Sequence, residues 1–262
     1  MKRNLICCIL AALTLLLCAC AKKQADEPRG SAVETPEVTE EVLETATPEP
    51  EATEAPAEPD YEAIYAAKLR EIKAFIQQGA NADAVPDGLT GILETAAYME
   101  PDEAMNLIGY RIEDLSGDKV PELIIGVTAD EAQGSVLLNI YTILPDESIS
   151  LTVEGWGRNR YNLLNDGSLL NIGSNGAAYA IVANYTFSED ASKLECRDYY
   201  FTYEKVEGNW DDIGVYHNTT GAYDKSQAEL TGMTTDELWG LEEQYMSRIQ
   251  QVYLTPFAEF ES

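Results

Sequence analysis

The sequence predicts an α+β domain: a mainly antiparallel β-sheet with helices ahead of it and one C-terminal helix packed on it. Three features point there. Apolar residues recur at helical spacing near residues 61–76 and 238–252. Between residues 110 and 216 the period falls to two. The strand-like runs are joined by connections as short as Glu207-Gly208-Asn209 and Ser188-Glu189-Asp190-Ala191-Ser192, which suit hairpins, whereas a parallel crossover needs a dozen residues or more.

The elements follow in order. Pro59-Asp60 is a helix entry with Asp60 as N-cap. Tyr61, Ile64, Tyr65, Leu69, Ile72 and Ile76 form one helical stripe, which Gly79 ends. A weaker helical stretch covers residues 89–98, and Pro101-Asp102 opens a short helix to Leu107. Strands are predicted over residues 110–115, 122–128, 136–144, 148–154, 160–164, 168–172, 177–187, 193–206 and 210–216. Tyr199, Phe201 and Tyr203 share one strand face. Gly173-Ser174-Asn175-Gly176 reads as a hairpin turn, with an anion nest as the sharper alternative. The last helix starts at Thr234, where Glu237 three residues on completes a capping box. Leu238, Leu241, Tyr245, Ile249 and Val252 give its apolar stripe.

Ahead of this domain lie an address and a tether. Lys2 and Arg3 precede a thirteen-residue apolar run, Leu5 to Leu17, broken only by Thr14. A spanning helix needs about 20 apolar residues, so residues 1–19 read as a signal peptide. The run ends in Leu17-Cys18-Ala19-Cys20, which resembles the bacterial lipobox. The resemblance implies cleavage before Cys20, lipid on its thiol, and a membrane anchor on the extracytoplasmic face. Residues 20–59 are rich in Glu, Thr, Pro and Ala and nearly devoid of large apolar side chains. Such a segment cannot offset its ordering entropy and reads as a disordered acidic linker. Its forty residues reach about 35 Å r.m.s. as a coil and up to about 130 Å extended. Residues 60–262 then form a single globular domain, expected as a monomer, long enough to bury roughly 70% of its unfolded surface.

Charge excludes several partners. Residues 1–23 carry +4, residues 24–60 carry −11 and residues 61–262 carry −22. An acidic domain repels phosphate backbones and anionic lipid, so no nucleic-acid partner and no basic membrane-surface helix are expected. Of the five cysteines, only Cys196 lies beyond position 20, so the exported domain holds no disulfide. Cys196 reads as a buried inert thiol rather than a nucleophile, since no histidine neighbours it in sequence.

One constellation carries candidate chemistry: Asp114-Leu115-Ser116-Gly117-Asp118-Lys119-Val120-Pro121-Glu122. Oxygen ligands at positions 1, 3, 5 and 9 of a tight loop, with a backbone carbonyl at 7, can wrap a hard cation. Here these are Asp114, Ser116, Asp118 and Glu122, with Val120 supplying the carbonyl and Ca2+ as the candidate ion. The stretch resembles the calcium loops of integrin-type propeller repeats, Asp-x-Asp-x-Asp-Gly-x-x-Asp. It departs at Ser116, which replaces a carboxylate, at Lys119, which stands where glycine permits a left-handed turn, and at Glu122, which replaces aspartate. The competing reading is a hairpin whose Asx-type turns need no metal.

A wider likeness rests on Gly109-Tyr110-Arg111-Ile112-Glu113-Asp114-Leu115-Ser116-Gly117-Asp118 with Pro121-Glu122-Leu123-Ile124-Ile125, on Gly155-Trp156-Gly157-Arg158-Asn159-Arg160-Tyr161, and on Tyr216-His217-Asn218-Thr219-Thr220-Gly221. These segments resemble recurrent stretches of lipid-anchored surface proteins of gut Gram-positive bacteria. The resemblance spans most of residues 89–257. It implies location and fold and carries no activity.

Three classes of function follow. The first is a cell-surface binding or structural module, because fifteen tyrosines against five phenylalanines supply amphipathic ring faces suited to a saccharide or peptide ligand. The second is an extracytoplasmic hydrolase using carboxylates. The third is a solute-binding lipoprotein, which the small antiparallel domain disfavours. His217 is the single histidine, and it has no Gly-x-Ser-x-Gly or His-Glu-x-x-His partner motif. Trp156, Arg158, Arg160 and His217 are the weaker candidates for contact with a ligand, two arginines beside aromatics being able to clamp an anion.

Overall fold

Asp60 starts the first helix: its carboxylate accepts a hydrogen bond from the Ala63 N–H at 3.0 Å. Helix α1 (Tyr61–Gln77) buries Tyr65, Leu69, Ile72, Phe75 and Ile76 on one face. Gly79 leaves it with φ +81°, the left-handed turn expected of a glycine stop. Helix α2 (Thr90–Ala96) and helix α3 (Pro101–Leu107), with Pro101 in its first turn, pack beside α1. The coordinates are a computed structural model and describe residues 59–261 except 82, 84 and 129–135. The apolar run 1–19, Cys20 and residues up to 58 lie outside the described residues. What is described belongs to one compact unit, Pro56–Ser262.

Among the described residues eleven strands follow: β1 (Ile108–Glu113), β2 (Glu122–Val127), β3 (Val136–Ile143), β4 (Ile149–Glu154), β5 (Asn159–Leu163), β6 (Leu169–Ser174), β7 (Ala180–Phe187), β8 (Leu194–Glu204), β9 (Ile213–Asn218), β10 (Glu229–Leu230) and β11 (Thr255–Pro256). They make one antiparallel sheet in the order β10-β9-β8-β7-β6-β5-β3-β2-β1-β11, with β4 beside β3. Every hairpin pairs neighbours in sequence, as short connections require.

A seam interrupts this meander. One edge of β3 is shared: residues 139–143 pair with β4, and Leu137 alone pairs with Tyr161 of β5. The chain crosses from β4 to β5 through a tight turn, in which Trp156 and Asn159 exchange hydrogen bonds of 2.9 and 2.8 Å. Helices α1 to α3 cover β1–β4 around a core that includes Tyr65, Ile72, Leu123, Ile125, Tyr141 and Phe257.

Helix α4 (Thr235–Met246) covers the other half, burying Leu238 over Leu164, Leu170, Val182 and Val215. Its capping box forms as the spacing implies: Glu237 N–H donates to Thr234 Oγ1 at 3.2 Å, and Thr234 N–H donates to Glu237 Oε2 at 2.8 Å. The stripe's last two members do not extend the helix. Ile249 bridges Leu164, and Val252 packs into a separate cluster with Ile124, Leu137 and Ile140. From there the chain forms a strap. Gln250 N–H donates to the Leu163 carbonyl at 2.8 Å, and six residues later Pro256 pairs with Gly109 of β1. The strap thus links β5 to β1 across the seam. The last hairpin also differs from expectation. Lys205 N–H donates to the Asp212 carbonyl, so β9 begins at Ile213 and Trp210 sits in the turn, 62% exposed.

Candidate functional site

The Asp114 loop closes the β1–β2 hairpin, where Glu113 pairs with Glu122. Local chemistry folds it. Asp114 Oδ1 accepts from Gly117 N–H at 2.6 Å and Oδ2 from Lys119 N–H at 3.0 Å. Asp118 Oδ1 accepts from Val120 N–H at 2.7 Å. Glu122 turns back into the loop: Oε2 accepts from Leu115 N–H at 2.7 Å and Ser116 N–H at 3.1 Å, and Oε1 from the Ser116 hydroxyl at 3.2 Å. Lys119 takes φ +77°, the left-handed turn that glycine adopts without strain and a side chain adopts at a cost of order 1 kcal/mol.

The result is a triad. Ligand oxygens of Asp114, Asp118 and Glu122 lie within 4.8 Å of one another, an arrangement that can hold a metal ion. Asp114 is exposed, Asp118 half-buried and Glu122 fully buried. A carboxylate offers about four lone-pair sites, so these hydrogen bonds and cation ligation are compatible. Burial pushes the Glu122 carboxyl up from the ordinary 4.5 to about 7. The N–H groups of Leu115 and Ser116 and the Ser116 hydroxyl oppose that rise, and the charge of Asp118 adds to it. Of the sequence-derived ligand set, Asp114, Ser116, Asp118 and Glu122 do converge, while Val120 contributes its N–H to the turn.

Helix α1 braces this loop. The Tyr65 hydroxyl lies 3.0 Å from the Pro121 carbonyl and 3.1 Å from the Tyr141 carbonyl, and it shares its proton between them. Burial first, then the Glu122 charge, raises the Tyr65 pKa far above the ordinary phenol value. Pro59, Tyr61, Asp118, Val120 and Pro145 line one cavity of about 280 Å³. The loop therefore sits where the residues preceding α1 enter the domain.

The weaker candidates do not converge. Trp156 and Arg158 lie in the β4–β5 turn, where the Arg158 carbonyl accepts from Ser174 N–H. Arg160 and His217 share one cross-strand row, Arg160-Ile172-Val182-Tyr200-His217. Four strand spacings separate them by roughly 19 Å. His217 Nε2 is 3.0 Å from Asp198 Oδ1, and its ring lies 4.4 Å from that of Tyr200. Arg160 instead opens into a cleft of about 420 Å³ with Tyr179, Trp239 and Glu242. Burial raises the Glu242 pKa, and Arg160 opposes the rise. Cys196 is half-buried; burial and then the Asp198 charge push its thiol up to about 11, which leaves it protonated and inert.

Sequence reasoning missed the densest aromatic group. Tyr179 stacks on Tyr203 with ring centres 5.4 Å apart at 18°, and Trp210 lies 5.6 Å from Tyr179. Tyr223 lies 5.8 Å from Tyr203. The alternation of β8 placed Tyr203 on a face with Tyr199 and Phe201. The period places Tyr179 and Trp210 in strands 177–187 and 210–216, but β7 starts at Ala180 and β9 at Ile213, so both reach the group from outside the strands, as does Tyr223, for which the period gives no signal. Comparison with protein-family models, curated proteins and solved structures finds no match to this chain.

Proposed function

We propose that this chain is a bacterial cell-surface lipoprotein, anchored through lipid on Cys20, whose domain from residue 60 serves as an extracytoplasmic binding or structural module stabilised by calcium. The observation that carries the calcium reading is the convergence of Asp114, Asp118 and Glu122 in a strand-loop-strand turn. Hard oxygen donors in an irregular arrangement, carboxylates beside a hydroxyl, suit calcium better than magnesium, which demands near-octahedral geometry. Two features support a module over a carboxylate hydrolase or a solute binder. The oxygens of Glu122 are engaged by its own loop rather than facing a cleft. One continuous sheet stands in place of two lobes around a crevice.

The affinity follows from the ligand charge. Three carboxylates attract the ion, and the exposed Lys119 ammonium opposes it. The expected Kd falls in the 10⁻⁴–10⁻³ M class of extracellular modules. At ten times Kd, calcium stabilises the fold by about 1.4 kcal/mol, a rise in Tm of roughly 3–6 °C. Differential scanning fluorimetry of the purified full chain should show this rise in wild type and lose it in Asp118→Ala. Lys119→Gly should strengthen the response, since it removes both charge and backbone strain. No shift in wild type and Lys119→Gly at about 10 mM calcium would leave a metal-free hairpin.

Anchoring has a separate test. Metabolic labelling with a clickable palmitate analogue should mark wild type and spare Cys20→Ala; undiminished label in the variant would refute the anchor.

A further inference from the structure

We infer that Tyr179, Tyr203, Trp210 and Tyr223 form a binding strip for a neutral polysaccharide, whose sugar rings pack against the exposed Trp210 and the ring surface that the half-buried tyrosines turn into two clefts. The inference rests on the surface-module reading above and names its ligand class.

The rings are held before any ligand arrives. The Tyr179 hydroxyl donates to Glu204 Oε2 at 2.6 Å, and the Tyr223 hydroxyl donates to the Thr202 carbonyl at 3.0 Å. The Lys225 ammonium donates to the Glu204 and Lys205 carbonyls at 2.9 Å and lies 5.7 Å from the centre of the Tyr203 ring. Rings fixed in this way lose little freedom on binding, which is the advantage of a preorganised site. Trp210 is 62% exposed in a turn, with its ring leaning on that of Tyr179 at 5.6 Å.

The strip is continuous. Tyr179 lines the Arg160 cleft of about 420 Å³, and its stacking partner Tyr203 lines a second cleft of about 460 Å³ with Tyr223 and Asp224. Apolar ring faces beside a few hydroxyls and carboxylates match a sugar, which offers C–H faces and a ring of hydroxyl donors.

Three observations select the occupant. The domain carries −22, which disfavours anionic polymers. Strands β7 and β8 are paired on both edges, so no peptide can add there as a further strand. The aromatic group runs across strands rather than along one, as a chain lying over the sheet end requires. A polyproline peptide is the remaining occupant of an aromatic groove. The chain's own proline-rich segment is an unfavourable source, because residues 24–60 carry −11 against this acidic domain.

Isothermal titration calorimetry of the purified full chain against cellohexaose, xylohexaose, mannohexaose and chitohexaose tests the strip. At least one should bind, and Tyr179→Ala and Trp210→Ala should each weaken it about tenfold or more. Tyr253→Ala, which removes a 69% exposed ring from the strap, should leave binding unchanged. Trp210→Ala also guards against misfolding, since its ring lies in an exposed turn and its Tm should match wild type. Binding of none of the four hexaoses, or binding indifferent to both variants, overturns the proposal. Binding of a polyproline peptide on the same residues overturns the glycan and keeps the module. Hexaose binding without lipid label on Cys20 keeps the strip and removes the surface reading.

Discussion

Glu122→Gln should make the calcium-free protein more stable at about pH 8, by about 3 kcal/mol, and should erase the response to calcium. The sign follows from burial. The folded carboxyl titrates at about 7, against 4.5 when free. Below 4.5 it is neutral in both states and costs nothing. Between the two values folding takes up a proton, so stability falls as pH rises. Above about 7 the full cost of a buried charge is present. Glutamine keeps the shape and can still accept from Leu115 and Ser116, without the charge. Urea unfolding in chelator should therefore show wild type losing about 2.5 kcal/mol more than Glu122→Gln between about pH 5 and about pH 8. Parallel pH profiles for the two proteins would refute it. With calcium added, wild type should recover and the variant should not, because glutamine supplies no counter-charge.

Gly91→Ala should cost about 3 kcal/mol, the upper end of what an inserted methyl does in a packed interior. A β-carbon there would lie 1.9 Å from the Gly155 carbonyl oxygen and 3.2 Å from Leu138 Cδ2. The carbonyl cannot retreat, since Gly155 N–H is held by the Leu138 carbonyl at 2.7 Å and its own α-carbon faces the Leu137 carbonyl. This contact docks α2 onto the seam between β3 and β5. The melting temperature should drop by roughly 6–12 °C. Gly240→Ala is the matched control with the opposite sign. It lies inside α4 with nothing within 4 Å of the β-carbon that alanine would add, so the substitution should stabilise by about 0.5–1 kcal/mol. A Gly91→Ala protein as stable as wild type would mean that α2 is free to move.

Period-two runs and short hairpins made most of the sheet legible, because both are local and neighbouring strands pair in chain order. The Asp114 loop was legible for the same reason: Asp114, Asp118 and Glu122 lie within nine residues, and their Asx turns fold on the spot. What escaped was set by distant contact. Strands β10 and β11 have two residues each, too short to show a period. Val252 keeps helical spacing yet leaves the helix, since Leu164 competes for Ile249 as a strand partner. Nothing in the sequence joins Gly91, in the helical stretch 89–98, to Gly155, just past the strand predicted over 148–154, because their meeting is visible only when the sheet is assembled. The same holds for Arg160 and Glu242, which are 82 positions apart in sequence and share a cleft.

The strap from Gln250 to Pro256 has a consequence in time. It carries the sheet's outermost strand and delivers Phe257 to a core built otherwise from residues 65–141. Pro256 reaches Gly109 from 147 positions along the chain, so this closure is among the least local contacts of the fold. Loop-closure entropy must be met before so distant a pairing is rewarded, which makes it a slow step. Until it forms, α1–α3 and β1–β4 lack Phe257 and the edge of β1 stands open. The longest-waiting surface is then that unpaired edge, the geometry that invites pairing with another chain.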